Sequence, residues 1–305
     1  MNISKWGLLT LKGCAMGMAD VVPGVSGGTI AFISGIYEEL IGSIKNIGLD
    51  AFKLLLRGHV ADFWRKINGN FLCAVFAGVL LSIFSLARLM TYLLANHPIE
   101  IWSFFFGLIV ASSILVAKEI GHWDAGRVVA LIVGIVVAYW ITVVSPSETP
   151  NTWWFIILSG AIAICAMILP GISGAFILLL MGKYQFIMQA VGDLNIGVIL
   201  LFSFGAVTGL ISFSHVLSWL LKHCHDITVA LLMGFMLGSL NKVWPWKEVL
   251  ETYTDAHGAT HPLVESNILP NIASGHAEIW QAVILAVAGF LLIYLIDLIG
   301  RKLKK

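Results

Sequence analysis

A 20-residue pattern occurs twice in this chain. Residues 18–37 read MADVVPGVSGGTIAFISGIY, and residues 165–184 read CAMILPGISGAFILLLMGKY. Six positions match at one constant offset (170 − 23 = 147): Pro23, Gly24, Ser26, Gly27, Gly35 and Tyr37 correspond to Pro170, Gly171, Ser173, Gly174, Gly182 and Tyr184. Two apolar segments aligned by chance would match at leucine and valine instead. The chain therefore contains an internal duplication.

The duplication extends weakly beyond this pattern. At a shorter offset (205 − 78 = 127), the residues Gly78, Arg88 and Gly107 correspond to Gly205, His215 and Gly234. The two halves divide near Pro146–Pro150, which predicts a first repeat over 1–147 and a second over 148–305.

The composition is that of a membrane protein. Hydrophobic residues make up 59% of the 305 residues, charged residues make up 11%, and the mean hydropathy is +0.93. Runs such as Ile101–Ala117, Val128–Val144 and Trp280–Ile296 carry no charge on any face. A membrane span needs about 20 apolar residues. A soluble helical protein with a large core is therefore excluded.

Within each half, Pro-Gly-x-Ser-Gly interrupts an apolar stretch. Proline removes a backbone donor and glycine permits a reversal, so one continuous helix is not expected there. Ser26 and Ser173 then suit the N-caps of the helices that follow. The sequence predicts an all-α polytopic membrane protein in which each half has a broken hairpin and three spans. The hairpins cover about 5–44 and 152–190, and the spans cover about 71–94, 100–117, 127–144, 198–221, 227–241 and 278–299.

The basic residues indicate the topology. If each hairpin returns to its own side, one face of the membrane holds 14 of the 18 lysines and arginines: Lys5, Lys12, Lys45, Lys53, Arg57, Arg65, Lys66, Lys118, Arg127, Lys222, Arg301, Lys302, Lys304 and Lys305. By the positive-inside rule this face is cytoplasmic and holds both termini. Three spans per half is an odd number, so the second repeat is predicted to be inverted.

Charge does not separate a re-entrant hairpin from two complete crossings, because both return to the same side. The first limb, residues 5–22, is polar for a span, whereas Trp153–Leu169 is nearly long enough to cross. We favour re-entrant hairpins in both halves.

The hairpin tips are candidates for an anion site. Unpaired backbone at membrane depth is tolerated only inside protein or beside water, so we expect the two tips to meet. Each helix that starts there presents free N–H groups, and glycines let an anion approach. The candidate binding residues are Pro23, Gly24, Ser26, Gly27, Gly28, Thr29, Pro170, Gly171, Ser173 and Gly174. The alternative is that Pro-Gly only shapes a bend.

Charged residues within the apolar segments are further candidates, because each is costly there unless it is paired or hydrated. Arg88 lies in a span and suits phosphate capture, although snorkelling to the interface is an equal alternative. Asp20, Glu38 and Glu39 are candidates for coupling to H⁺ or Na⁺. Tyr37 is interpreted as an interface marker.

Other functions find little support. No histidine cluster has metal-ligand spacing, so no metal is predicted, and no nucleotide-binding loop is present. The formal net charge of +1 provides no field for nucleic acid. No cofactor is expected, and a homo-oligomer is compatible with the pattern.

The phrase ADVVPGVSGGTIAFISGIYEELI (residues 19–41), with its echo MILPGISGAFILLLMGKY (167–184), resembles the PopT family of polyprenyl-phosphate translocases, formerly a domain of unknown function. The resemblance covers most of the chain. It implies a flippase that returns undecaprenyl phosphate from the outer to the inner leaflet of the bacterial plasma membrane, which recycles the carrier lipid for envelope synthesis. The family motif maps onto Asp20 and the ten candidate hairpin residues. Six of these ten lie in the first copy and four in the second, which has no motif residue at the positions of Gly28 and Thr29.

The motif is also distantly similar to undecaprenyl-diphosphate phosphatase, whose hairpins carry Pro-Gly-x-Ser-Arg-Ser. Gly27 stands where that family has its catalytic arginine, and Gly174 repeats the departure. The resemblance therefore favours binding the phosphate without cleaving it. The leading hypothesis is a lipid-phosphate translocase with alternating access, and the alternatives are a phosphatase-like enzyme and an ion-coupled carrier of a small anion.

Overall fold

The computed structural model of the chain describes residues 3–21, 26–147, 149–254, 260–270 and 276–303. Its elements in chain order are α1 (Ile3–Val21), α2 (Gly27–Ile33), α3 (Tyr37–Lys45), α4 (Leu49–Leu56), α5 (Val60–Lys66), α6 (Gly69–Asn96), α7 (Pro98–Ala117), α8 (Ala125–Val143), α9 (Trp153–Ile168), α10 (Gly174–Leu180), α11 (Tyr184–Gly192), α12 (Ile196–His223), α13 (His225–Ser239), β1 (Lys247–Thr254), β2 (Thr260–Asn267) and α14 (His276–Leu303).

The chain is a polytopic helical membrane protein. Five helices of the described part are long and apolar enough to cross a bilayer, and they lie in α6, α7, α8, α12 and α14. The sixth predicted span, 227–241, corresponds to α13, which has only 15 residues. At 1.5 Å per residue this helix reaches about 22 Å, less than the hydrocarbon thickness of about 30 Å. The predicted segment is itself 15 residues long, so its length agrees with that of α13, an apolar helix shorter than the other spans.

The described part is mostly helical, as predicted, but one polar segment contains strands that were not predicted. Strands β1 and β2 form a two-stranded antiparallel sheet with an irregularity beside Glu251. The sequence places β-branched and aromatic residues such as Val249, Thr252 and Tyr253 in β1, and these fit a strand better than a helix. The polar segment that follows α13 is thus a β-hairpin.

The two halves repeat the same element lengths. Helices α2 and α10 have 7 residues each, α3 and α11 have 9, and α6 and α12 have 28. Gly35 and Gly182 turn the chain at equivalent positions with φ of +70° and +62°, a backbone region that suits glycine. The axes of α10 and α11 differ by 108°. These matched elements follow the duplication seen in the sequence.

The helices cross at four glycine pairs that share one geometry. In every pair, a Cβ on either glycine would overlap the carbonyl oxygen of the residue three positions before its partner. The pairs are Gly13–Gly78, Gly107–Gly289, Gly134–Gly234 and Gly160–Gly205. Small residues let helix backbones approach closely in a membrane, where packing replaces the hydrophobic effect as the driving force.

Two of these pairs are related by the internal repeat. Gly13 and Gly160 differ by 147 residues, and Gly78 and Gly205 differ by 127, so α1 packs on α6 as α9 packs on α12. The other two pairs join the halves, since α8 packs on α13 and α7 packs on α14. The contacts of α8 with α13 advance together from Gly134–Gly234 to Ala138–Gly238, so these two helices run parallel.

We expect Gly205→Ala to destabilise the protein, because the new methyl group would overlap the carbonyl oxygen of Ile157 and separate α9 from α12. The expected loss is roughly 1–3 kcal/mol, measured by thermal unfolding in detergent. Gly42→Ala is the matched control, since nothing lies within 4 Å of its Cβ position. Equal losses in the two variants would contradict the role assigned to the glycine pairs.

Candidate functional site

The two interrupted hairpins lie against each other. We call residues 22–26 the first break and residues 169–173 the second break. The Thr29 hydroxyl oxygen accepts a hydrogen bond of 2.8 Å from the Gly171 N–H. The Ser26 hydroxyl lies 2.9 Å from the Met167 carbonyl oxygen and 3.2 Å from that of Leu169, and it donates to them. The prediction that the hairpins meet is therefore confirmed, and the hydroxyl groups of the first hairpin make the contact.

A glycine makes this contact close. A Cβ on Gly28 would lie 2.5 Å from the carbonyl oxygen of Ile168, so only glycine fits where α2 begins. Ser26 and Thr29 are each 1% exposed, which removes their polar atoms from lipid and water. The buried hydroxyls thus pair with carbonyl and N–H groups that the second break leaves free.

Asp20 belongs to α1, and its side chain lies at the start of α2. Its carboxylate accepts a hydrogen bond of 2.7 Å from the Gly27 N–H, and a Cβ on Gly27 would lie 2.5 Å from the same carboxylate. As predicted, Ser26 is the N-cap of α2, and its side chain accepts from the Gly28 N–H at 3.1 Å. Asp20 and Ser26 together therefore satisfy the donors of this helix terminus.

Tyr37 was assigned wrongly to the membrane interface. Its side chain is 2% exposed, and its hydroxyl donates to the Ile168 carbonyl oxygen at 3.1 Å. The Tyr37 ring also contacts Phe32 edge-on. Tyr37 is therefore a third hydroxyl that joins the first hairpin to the second break, and its repeat position beside Gly35 was the signal available in the sequence.

The second break is also followed by a serine-capped helix, and a void lies beside it. Ser173 is the N-cap of α10 as predicted, and the Phe176 N–H points at its hydroxyl oxygen at 3.5 Å. Gly171 has a φ of +85° and packs against the backbone of Phe235 in α13. Pro170 is buried beside it. A Cβ on Gly174 would lie 2.5 Å from the Ala163 carbonyl oxygen, so glycine is required there as well.

A cavity begins beside Ser173. A void of about 10 Å³, enough for one water, is lined by Gly171, Ser173, Thr142 and Lys242. A larger cavity of about 410 Å³ shares Thr142, Phe176 and Lys242 with this void and extends to the β-hairpin. The second break is thus bordered by the first hairpin on one side and by this small, mainly apolar void on the other.

The charged residues of this cavity were not predicted to be functional. The Lys242 Nζ lies 2.8 Å from Glu265 Oε2, and the Lys247 Nζ lies 3.6 Å from the same oxygen. Burial raises the pKa of Glu265, but the two ammonium groups outweigh it and hold that pKa below its ordinary value. Burial lowers the pKa of Lys247 to about 8, partly opposed by Glu265. Residues 242, 247 and 265 have no local spacing that would reveal this cluster.

The opposite end of the same helices is held by ion pairs. Arg127, in the first turn of α8, bridges Asp124 at 2.6 Å and Asp226 of α13 at 3.1 Å. His225 contacts Glu38 of α3 at 3.1 Å. Because α8 and α13 run parallel, this closed end lies about 22 Å from Thr142, the residue that marks the cavity end.

The remaining predicted residues are placed as follows. Glu38 faces His225, and Glu39 accepts a hydrogen bond of 2.9 Å from the Asn68 side chain. Pro23, Gly24 and the side chain of Arg88 lie outside the described part of the chain. Within the described residues, no group of three His, Cys, Asp or Glu side chains could hold a metal ion.

We expect Thr29→Val to destabilise the protein, because it leaves the Gly171 N–H buried without its acceptor. The expected cost is about 1–3 kcal/mol in thermal unfolding. Thr208→Val is the control, since the Thr208 side chain is exposed and bonds only to carbonyls of its own helix. A Thr29→Val protein as stable as the Thr208→Val protein would show that this hydrogen bond does not hold the hairpins together.

Together these features define a class, that of helical membrane proteins in which two broken hairpins meet beside a polar cavity. Residues 16–261 match the model of a family described as VCA0040-like, undecaprenyl phosphate translocase-like. The chain belongs to this family.

Two curated relatives support the assignment. The chain is 50% identical over 260 residues to the polyprenyl-phosphate transporter of Vibrio cholerae, which covers 85% of this chain and 84% of that protein. It is 35% identical over 263 residues to the polyprenyl-phosphate transporter of Staphylococcus aureus, covering 80% and 88% respectively. The comparison with solved structures gave no match. The names of both relatives indicate a transporter rather than an enzyme.

Proposed function

We propose that this protein transports undecaprenyl phosphate, or a similar polyprenyl phosphate, from the outer to the inner leaflet of the bacterial plasma membrane. The observation that carries the proposal is the polar cavity with two lysines, which shares Thr142, Phe176 and Lys242 with the small void beside the second break, where the two hairpins meet. A phosphate monoester carries about −1.5 to −2 charges at pH 7 and crosses lipid only with such a polar path.

The headgroup is proposed to bind in the polar cavity at Lys242, a residue that also lines the small void beside Ser173. In this conformation the hydroxyls of Ser26 and Thr29 hold the hairpins together. We therefore propose that they bind the phosphate only at a later stage of transport, when these contacts rearrange. Arg88 remains a proposed phosphate ligand. The polyprenyl tail stays in lipid.

The helix pairing supports inverted repeats. The second span of the first half, α7, pairs with the third of the second half, α14, while α8 pairs with α13. Because α13 runs parallel to α8, and α7 precedes α8 through a short loop, α13 is opposed to its own counterpart α7. We propose that each hairpin is re-entrant and that both termini are cytoplasmic, as the basic residues indicate.

Inverted repeats permit alternating access by rocking one half against the other. We propose that the structure represents a state open at the cavity end and closed at the other by the Arg127–Asp226 pair. By this topology the cavity end faces outward. Asp20 is the first residue we propose for coupling to H⁺ or Na⁺, because its carboxylate sits where the first hairpin joins the second.

The geometry argues against a phosphatase. A side chain at position 174 would overlap the Ala163 carbonyl oxygen, so the second hairpin has no space for the arginine of the phosphatase motif. At position 27, glycine leaves the backbone N–H open to the Asp20 carboxylate.

The test of function is leaflet-resolved labelling of undecaprenyl phosphate in cells with and without the protein. Deletion is expected to increase outer-leaflet exposure, because carrier lipid that is not returned would accumulate there. The wild-type gene is expected to restore the original exposure. Purified protein is expected to release no phosphate from undecaprenyl diphosphate. Unchanged exposure on deletion would contradict transport, and phosphate release would favour the enzyme.

The proposed orientation is tested by cysteine labelling in a variant that lacks the four native cysteines. Thr142→Cys, at the cavity end, is expected to react in intact cells with a membrane-impermeant thiol reagent. Ala125→Cys is exposed at the closed end and is expected to react only after permeabilisation. The reverse pattern would place the cavity on the cytoplasmic side.

A further inference from the structure

The cavity contains more positive than negative charge. Two ammonium groups, those of Lys242 and Lys247, share the single carboxylate of Glu265, and all three side chains are at most 16% exposed. Both lysines also lie over aromatic rings, Lys242 over Phe176 at 4.8 Å and Lys247 over Trp102 at 3.8 Å. One carboxylate therefore neutralises only half of a buried dication.

The ammonium group of Lys247 is incompletely satisfied. Its side chain is 7% exposed and lines the cavity, and it forms no hydrogen bond with any residue in the described part of the chain. Its contact with Glu265 is 3.6 Å long, beyond hydrogen-bond distance. A buried ammonium carries three donors and is costly when they are unpaired. An anion with several oxygens would satisfy them.

The space beside these lysines fits such an anion. The cavity volume of about 410 Å³ is roughly the liquid volume of a dozen water molecules. The lining includes the amides of Asn241 and Asn267, which bond to each other, and Asn241 also bonds to Thr142. These hydrogen-bonded polar groups line the same cavity as the two ammonium groups.

We propose that Lys242 and Lys247 bind the dianionic phosphate of the substrate, and that Glu265 is an internal anion which holds this position in the empty protein. The assignment rests on the proposed function and names the residues that receive the headgroup at the cavity end. A phosphate dianion neutralises both ammonium groups, whereas the single carboxylate neutralises one. The substrate therefore displaces Glu265, and the return of Glu265 assists release.

This role is distinguishable from a purely structural ion-pair cluster. If Glu265 only stabilises the fold, Glu265→Gln lowers the melting temperature and weakens substrate binding with it. If Glu265 competes with the phosphate, Glu265→Gln tightens binding, because it leaves two ammonium groups without an internal anion. The sign of the affinity change therefore separates the two accounts.

The experiment measures binding of farnesyl phosphate, a short polyprenyl phosphate, to the purified protein in detergent. We expect at least tenfold weaker binding for Lys242→Gln and for Lys247→Gln, and severalfold tighter binding for Glu265→Gln. Farnesol, which lacks the phosphate, is expected not to bind measurably. Inorganic phosphate is expected to bind more weakly than farnesyl phosphate and to depend on the same lysines.

Two variants serve as controls. Lys53→Gln removes an exposed charge away from the cavity, and Glu248→Gln removes an exposed charge in the β-hairpin that carries Lys247 and Glu265. Both should bind like the wild type, and the melting temperature of each variant checks its fold. Wild-type affinity in both cavity-lysine variants, or weaker binding by Glu265→Gln, would overturn the assignment while leaving the proposed function intact. A wild-type protein that binds inorganic phosphate as tightly as farnesyl phosphate would contradict the proposed lipid substrate itself.

Discussion

The hydrogen bonds between the two hairpins are the constraint on which the rest of the structure depends. A chain that breaks its helices inside a bilayer must satisfy the freed backbone groups without water. Backbone groups at the second break are satisfied by three hydroxyls, those of Ser26, Thr29 and Tyr37. The backbone at the start of α2 is satisfied by the Asp20 carboxylate. The first half therefore supplies the side-chain groups that satisfy the backbone of both hairpins.

The four glycine pairs determine which helices pack closely together. They bring α1 against α6 and α9 against α12 within the halves, while α7–α14 and α8–α13 join the halves. Close backbone packing gives rigid pairs, and the contacts between different pairs include polar ones, such as His225 of α13 with Glu38 of α3. A substrate that binds at the cavity end can shift the equilibrium between two conformations only if it binds one of them more tightly than the other.

Much of the fold was predictable because the duplication repeats residues with strict backbone roles. Ser26 and Ser173 are the N-caps that their residue type and position indicated, and the repeated Gly35 and Gly182 both occupy positive-φ turns. The β-hairpin was missed because two short strands have a weak signal beside six strongly apolar segments. The lysine cluster was missed because residues distant in sequence meet only when α8 and α13 end beside β2. The inward role of Tyr37 likewise depends on a partner 131 residues away.

The most direct measurement is an electron cryo-microscopy structure of the protein in lipid nanodiscs with undecaprenyl phosphate. The account predicts that the two hairpins remain in contact within the bilayer, with phosphate density at Lys242 and Lys247 and the Glu265 carboxylate displaced. Phosphate density on a lipid-facing surface, with the two breaks separated or both exposed to water on one side of the membrane, would contradict it.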